Sequence, residues 1–80
     1  MTRQHIFSII ASQVADAICA EFSTITEEST LKGDLHMDSL DVTELVYLIE
    51  QRFDAPIVVS PATVGDLVTA VYKEINDDNK

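Results

Sequence analysis

Three stretches of the chain repeat their apolar residues at helical spacing, and no two segments alternate as paired strands do, so the pattern predicts packed helices. In the first stretch, residues 4–22, Ile6, Ile10, Val14 and Ile18 recur every fourth residue, and Phe7, Ala11 and Phe22 widen the stripe. Cys19 falls at the edge of that stripe, as a small helical residue near the core. The second stretch, residues 39–53, buries Leu45, Val46, Leu48, Ile49 and Phe53. Asp38 is a good N-cap for it, and Asp41 lies three residues on, where acid suits the positive end of the helix dipole. Asp54-Ala55-Pro56 stops it, because the residue before a proline avoids helical angles. In the third stretch Val64, Leu67, Val68, Val71, Tyr72 and Ile75 form an amphipathic face. Two starts are open to it: Ser60-Pro61 as N-cap and first helical position, or Thr63 with Asp66 as a capping box. Ile57-Val58-Val59 is β-branched but has no partner strand, and reads as an extended linker. Residues 76–80 read as a frayed polar tail.

The connection between the first two helices, residues 23–37, is long and polar, with Gly33 and a cluster of Ser, Thr and Glu. Loops of this length in compact domains are functional or disordered. Ile25, Leu31 and Leu35 punctuate it, and read as pins that fold the loop back onto the core.

Eighty residues make a single domain, residues 1–80, with little room for both a core and a deep active site. Its net charge of −9 repels nucleic acid and anionic membrane and attracts basic protein surfaces. No apolar run is long enough to span a membrane, and the first residues lack a signal-peptide pattern, so a cytoplasmic monomer is expected. One cysteine excludes an internal disulfide framework.

Ser39 stands where the long loop meets the second helix, a place where the helix dipole favours a phosphodiester. His36, Asp38 and Ser39 are the residue types of a hydrolase triad, but neighbours in sequence do not make triad geometry, and no nucleophile elbow surrounds them; no catalytic residue is assigned. Asp34, Asp38, Asp41 and Glu44 crowd the helix start without the spacing or the central glycine of a calcium loop, and no metal ligand is assigned.

The run Asp34-Leu35-His36-Met37-Asp38-Ser39-Leu40-Asp41 resembles the motif around the modified serine of acyl carrier proteins, Asp-Leu-Gly-x-Asp-Ser-Leu followed by an acidic residue. Glu44-Leu45-Val46, Glu50-Gln51-Arg52-Phe53-Asp54 and the helix after Thr63-Val64 extend the resemblance over nearly the whole chain. It implies an all-α bundle of three to four helices with a long first loop, and a carrier that is not an enzyme. It also implies that Ser39, flanked by Asp38 and Leu40, bears a 4′-phosphopantetheine arm installed from coenzyme A by a phosphopantetheinyl transferase. The cargo would be acyl thioesters of fatty-acid, polyketide or related biosynthesis. The implied partners are acyl-transferring and ketosynthase-type enzymes with basic docking surfaces, meeting Leu40, Asp41, Glu44, Tyr47 and Glu50. Two alternatives stand beside it: an aminoacyl, peptidyl or D-alanyl carrier, and an unmodified helical interaction module.

Three positions depart from the family. His36 replaces a glycine; it is either strained in a left-handed turn or an ordinary solvated loop residue. The connection between Phe53 and Thr63 is short, which leaves the family's short third helix, a wall of the acyl slot, as a single turn or missing. Tyr47 stands where the family has an aliphatic residue or methionine, and is either an interface anchor or a half-buried ring with its hydroxyl in water.

Overall fold

A computed structural model describes residues 1–76. Three α-helices, α1 (Arg3–Ile18), α2 (Ser39–Phe53) and α3 (Val64–Asn76), enclose one apolar core, with α1 packed chiefly on α3 and less on α2. Ile6, Ile10 and Val14 of α1, Leu45 and Ile49 of α2, and Val64, Leu67, Val68 and Val71 of α3 are buried together. These are the positions that helical spacing gathers on one face. Asn76 is the last residue of α3 rather than part of a tail; the remainder of the expected tail lies outside the described residues.

The first helix is shorter than its apolar stripe suggests. It stops at Ile18, and Cys19 turns left-handed (φ 57°, ψ 41°), its N–H donating to the Ala15 carbonyl. The Ala20 N–H reaches the same carbonyl at 2.9 Å. Cys19 is therefore an exposed helix cap, not a core-edge residue. Ending the helix here turns the chain back, so that Ile25 comes to lie in the core. Phe22 leaves the stripe for a one-turn 3-10 helix, Phe22–Thr24, and packs its ring at a 60° tilt to that of Phe7, 6.4 Å between centroids.

The loop that follows is pinned as its apolar residues foretell: Ile25 and Leu31 are buried, and Leu35 packs against the core. Met37, which carries no periodic signal, is buried with them. Backbone bonds complete the attachment. Leu31 N–H donates to the Ala62 carbonyl at 2.9 Å and Val64 N–H to the Ser29 carbonyl at 3.0 Å, a one-residue antiparallel bridge between Thr30 and Thr63. Gly65 N–H adds a bond to the Glu27 carbonyl at 2.9 Å. A Cβ at Gly65 would stand 3.0 Å from that oxygen, so a side chain there would push the loop away.

Of the two starts open to α3, the second is formed. Asp66 N–H donates to Thr63 Oγ1 at 3.1 Å, while Asp66 Oδ2 accepts from the N–H groups of Thr63 and Ala62. Between α2 and α3 the described chain forms no helix: residues 55–62 are irregular, with Ile57 buried and Val58 90% exposed. Leu48, placed by its spacing on the buried face of α2, is instead partly exposed at the rim of a cavity described below.

Leu31 is fully buried at the point where the loop meets α3. Leu31→Ala should destabilise the fold by about 2–5 kcal/mol, as large cavities in cores do. Urea denaturation followed by circular dichroism checks this; a loss below about 1 kcal/mol would show that the loop is not held by its buried side chain.

Candidate functional site

The site is built where the pinned loop delivers the chain to α2. Asp38 caps the helix in extended conformation, its Oδ1 accepting from the Asp41 N–H at 2.8 Å. Asp41 returns the bond, Oδ2 accepting from the Asp38 N–H at 3.2 Å. This reciprocal box is made with aspartate in place of the usual glutamate or glutamine. Asp34 closes the turn before it in the same manner, exchanging bonds with Thr30: Asp34 Oδ2 accepts from Thr30 N–H, and Asp34 N–H donates to Thr30 Oγ1. Asp34, Asp38 and Asp41, three of the four acids crowded around Ser39, thus hold backbone N–H groups. Among the described residues no three His, Cys, Asp or Glu side chains converge as a metal site.

His36 lies between these two turns with φ 57°, in the left-handed region, and its side chain is exposed. The two readings of the sequence are both realised: the residue is solvated and its backbone is left-handed. Histidine is among the more tolerant L residues there. The turn sends Met37 inward, where its N–H bonds the Leu31 carbonyl at 2.9 Å.

Ser39, the first residue of α2, is exposed. Its Oγ accepts from Lys32 Nζ at 3.3 Å. The His36 side chain makes no hydrogen bond to Ser39 or Asp38 among those of the described residues, so the triad residue types do not assemble as a triad. Two hollows flank α2. A groove of about 460 Å³ includes Ser39 and Lys32 and runs along Val42, Val46 and Tyr47 to Val59 and Pro61 of the linker. On the other side a cavity of about 730 Å³ lies between α1, the loop and α2, lined by Leu35, His36, Met37, Glu44, Leu45 and Leu48. Sequence reasoning missed Lys32, the linker residues of the groove, and Met37; Lys32 meets Ser39 seven residues on, across the turn at His36, and the linker reaches the groove from a segment farther along the chain.

Farther along α2, Leu40 is 75% and Tyr47 57% exposed, seven residues apart and so on one face. Glu44 is exposed on the same side. Glu50 is only part-exposed, and its Oε2 accepts from the Ile57 N–H at 2.8 Å, which ties the linker to α2.

The described residues thus form a three-helix domain with an exposed serine at the start of α2, beside a groove. Comparison with known proteins gives its family. The chain is 38% identical over 77 residues to the acyl carrier protein of Borreliella burgdorferi strain ZS7, covering 91% of this chain and 96% of that one. It is 37% identical over 79 residues to the acyl carrier protein of Exiguobacterium sp. strain ATCC BAA-1283 / AT1b, covering 94% and 100%. In structure it matches an acyl carrier protein from Enterococcus faecalis with a TM-score of 0.73 and 26% identity, over 92% of this chain and 99% of that one. No protein-family model matches. The chain belongs to the acyl carrier protein family, whose members are carriers and not enzymes.

The left-handed backbone at His36 yields a test. His36→Gly should stabilise the fold by up to about 1 kcal/mol, the relief of strain being partly offset by the freer unfolded chain. His36→Val should destabilise it by about 1–2 kcal/mol, because a β-branched residue resists positive φ. Thermal melts of the two variants beside wild type check the order; a glycine variant less stable than the valine variant would contradict the left-handed turn.

Proposed function

We propose that this protein is a carrier whose Ser39 Oγ bears a 4′-phosphopantetheine arm as a phosphodiester, for acyl intermediates of fatty-acid, polyketide or related biosynthesis. The observation that carries this reading is the placement of Ser39: an exposed hydroxyl on the first turn of a 15-residue helix, with a groove opening beside it. The residues present fit the group. The free N–H groups and dipole of α2 favour an anion at that end, and the groove offers Val42, Val46 and Pro61 to an extended thiol-ended chain. When attached, the arm supplies a thiol that carries acyl groups as thioesters. The protein supplies the rest: Asp38 and Asp41 hold the helix start rigid, Leu40 stands clear of it, and the pinned loop fixes the hydroxyl in place. The cytoplasm, where coenzyme A and the biosynthetic enzymes meet, is the proposed compartment. No helix of the described residues is long and apolar enough to cross a membrane.

Incubation with coenzyme A and a broad-specificity phosphopantetheinyl transferase should add the mass of one arm to wild type and none to Ser39→Ala. Addition to the Ser39→Ala variant would move the site, and no addition to wild type by any transferase would overturn the carrier reading in favour of an unmodified helical module.

The exposed face of α2 is the proposed docking surface, formed by Leu40, Asp41, Glu44, Tyr47 and Glu50. Tyr47 lies about 12 Å along the helix from Ser39, so a partner that engages the arm passes over it. Glu44 is free to steer basic partners, whereas Asp41 and Glu50 each hold a backbone N–H as well. Exposed charges act mainly on association and its salt dependence, and a desolvated aromatic mainly on dissociation. Glu44→Lys should therefore slow arm transfer most at low salt, with the deficit shrinking as salt rises. Tyr47→Ala should weaken an acyl-transferring partner at every salt concentration, by about 1–2 kcal/mol. With circular dichroism confirming that both variants fold, wild-type rates for both at low salt would place docking elsewhere.

A further inference from the structure

We infer that Lys32 is a positioning residue for the arm: its ammonium pairs with the phosphodiester once Ser39 is modified and holds the first atoms of the arm on the groove side of α2. The inference rests on the carrier reading and goes beyond it, because nothing in that reading calls for a cation in the loop. Lys32 Nζ already donates to Ser39 Oγ at 3.3 Å, the oxygen that becomes the ester oxygen of the phosphodiester. Its backbone is fixed: the preceding Leu31 is buried and bonded to Ala62, and the Met37 N–H bonds the Leu31 carbonyl. Its charge is not consumed elsewhere. Among the described residues the one ion pair within 4.0 Å joins Arg3 to Glu27, and Lys32 has no carboxylate partner.

The need for such a cation follows from the surroundings. An attached phosphodiester adds a negative charge to a protein already at −9, and places it beside Asp34, Asp38 and Asp41. The helix dipole offsets part of that repulsion but acts along the axis and does not select a side. Lys32 does select one, because it lies in the groove with Val42, Val46 and Pro61 and not in the larger cavity across α2. The remaining described cations stand elsewhere: Arg3 on Glu27 and Thr69, Arg52 in the last turn of α2, about 20 Å along the helix from Ser39, and Lys73 in the last turn of α3.

The test compares apo and loaded forms of wild type, Lys32→Gln, Lys32→Arg and Arg52→Gln, the last removing the same charge far from the serine. Mass spectrometry first establishes loading. Two readouts follow: the change in Tm on loading, and the phosphorus-31 resonance of the arm. Lys32→Gln should lower the Tm change on loading by about 3 °C at low salt, an effect that fades in high salt, and should move the phosphorus resonance. Lys32→Arg and Arg52→Gln should leave both as in wild type. Loading without either effect in Lys32→Gln, or equal effects in Lys32→Gln and Arg52→Gln, overturns the role of Lys32 and leaves the carrier reading standing. Failure of wild type to load overturns the carrier reading itself and this role with it.

Discussion

Two backbone hydrogen bonds, Leu31 N–H to the Ala62 carbonyl and Val64 N–H to the Ser29 carbonyl, join the long loop to the foot of α3, and the placement of everything at the start of α2 depends on them. A polar connection of this length carries many backbone groups that a helical bundle cannot pair. The bridge gives the central ones partners, and the buried Ile25, Leu31 and Met37 supply the apolar gain that offsets the ordering of the chain. Arg3 reinforces the same corner from α1, bonding Glu27 and Thr69. The loop is consequently a structural layer of the domain, and Ser39 inherits its fixed position.

The distribution of acid follows from this construction. A chain with 14 acidic and 5 basic residues gains no stability from its net charge, since like charges repel in the compact state. Yet Asp34, Asp38, Asp41 and Asp66 each accept hydrogen bonds from backbone N–H groups at turns or helix starts, where a carboxylate is favoured by both the bond and the dipole. Acid near Ser39 therefore serves the architecture first. Glu44, which holds no backbone group, is the acid of α2 left to act outward.

Much of this was legible in the sequence. The capping residues Asp38 and Asp41, the pins Ile25 and Leu31, most of the buried face of α2 and one of the two starts open to α3 follow from spacing and local chemistry. The end of α1 was not legible: it turns on a left-handed Cys19, and neither glycine nor proline marks it. The exposure of Leu48 and the burial of Met37 were missed for a related reason, since helical spacing cannot foresee where a loop covers a helix and where it leaves a cavity. At the site, the motif singles out Ser39, but the Lys32 contact and the groove along Val59 and Pro61 join segments that only the folded chain brings together.

The two walls of that groove differ in how firmly they are held. One wall is α2, capped at its start and anchored by Leu45 and Ile49. The other is the linker, fixed at Ile57, whose N–H bonds Glu50, and at Ala62, bonded both to Leu31 and to Asp66. Between these two anchors, residues 58–61 make no hydrogen bond to the rest of the described chain, and Val58 faces solvent. A segment with few buried contacts and no ladder of hydrogen bonds opens at low free energy compared with the core. The short connection that replaces a third helix thus joins a rigid attachment point to a yielding wall. The loop that leads to Ser39 is tied to α3 by the bridge, while the groove beside it is bordered by Val59, Ser60 and Pro61, which make no hydrogen bond to the rest of the described chain.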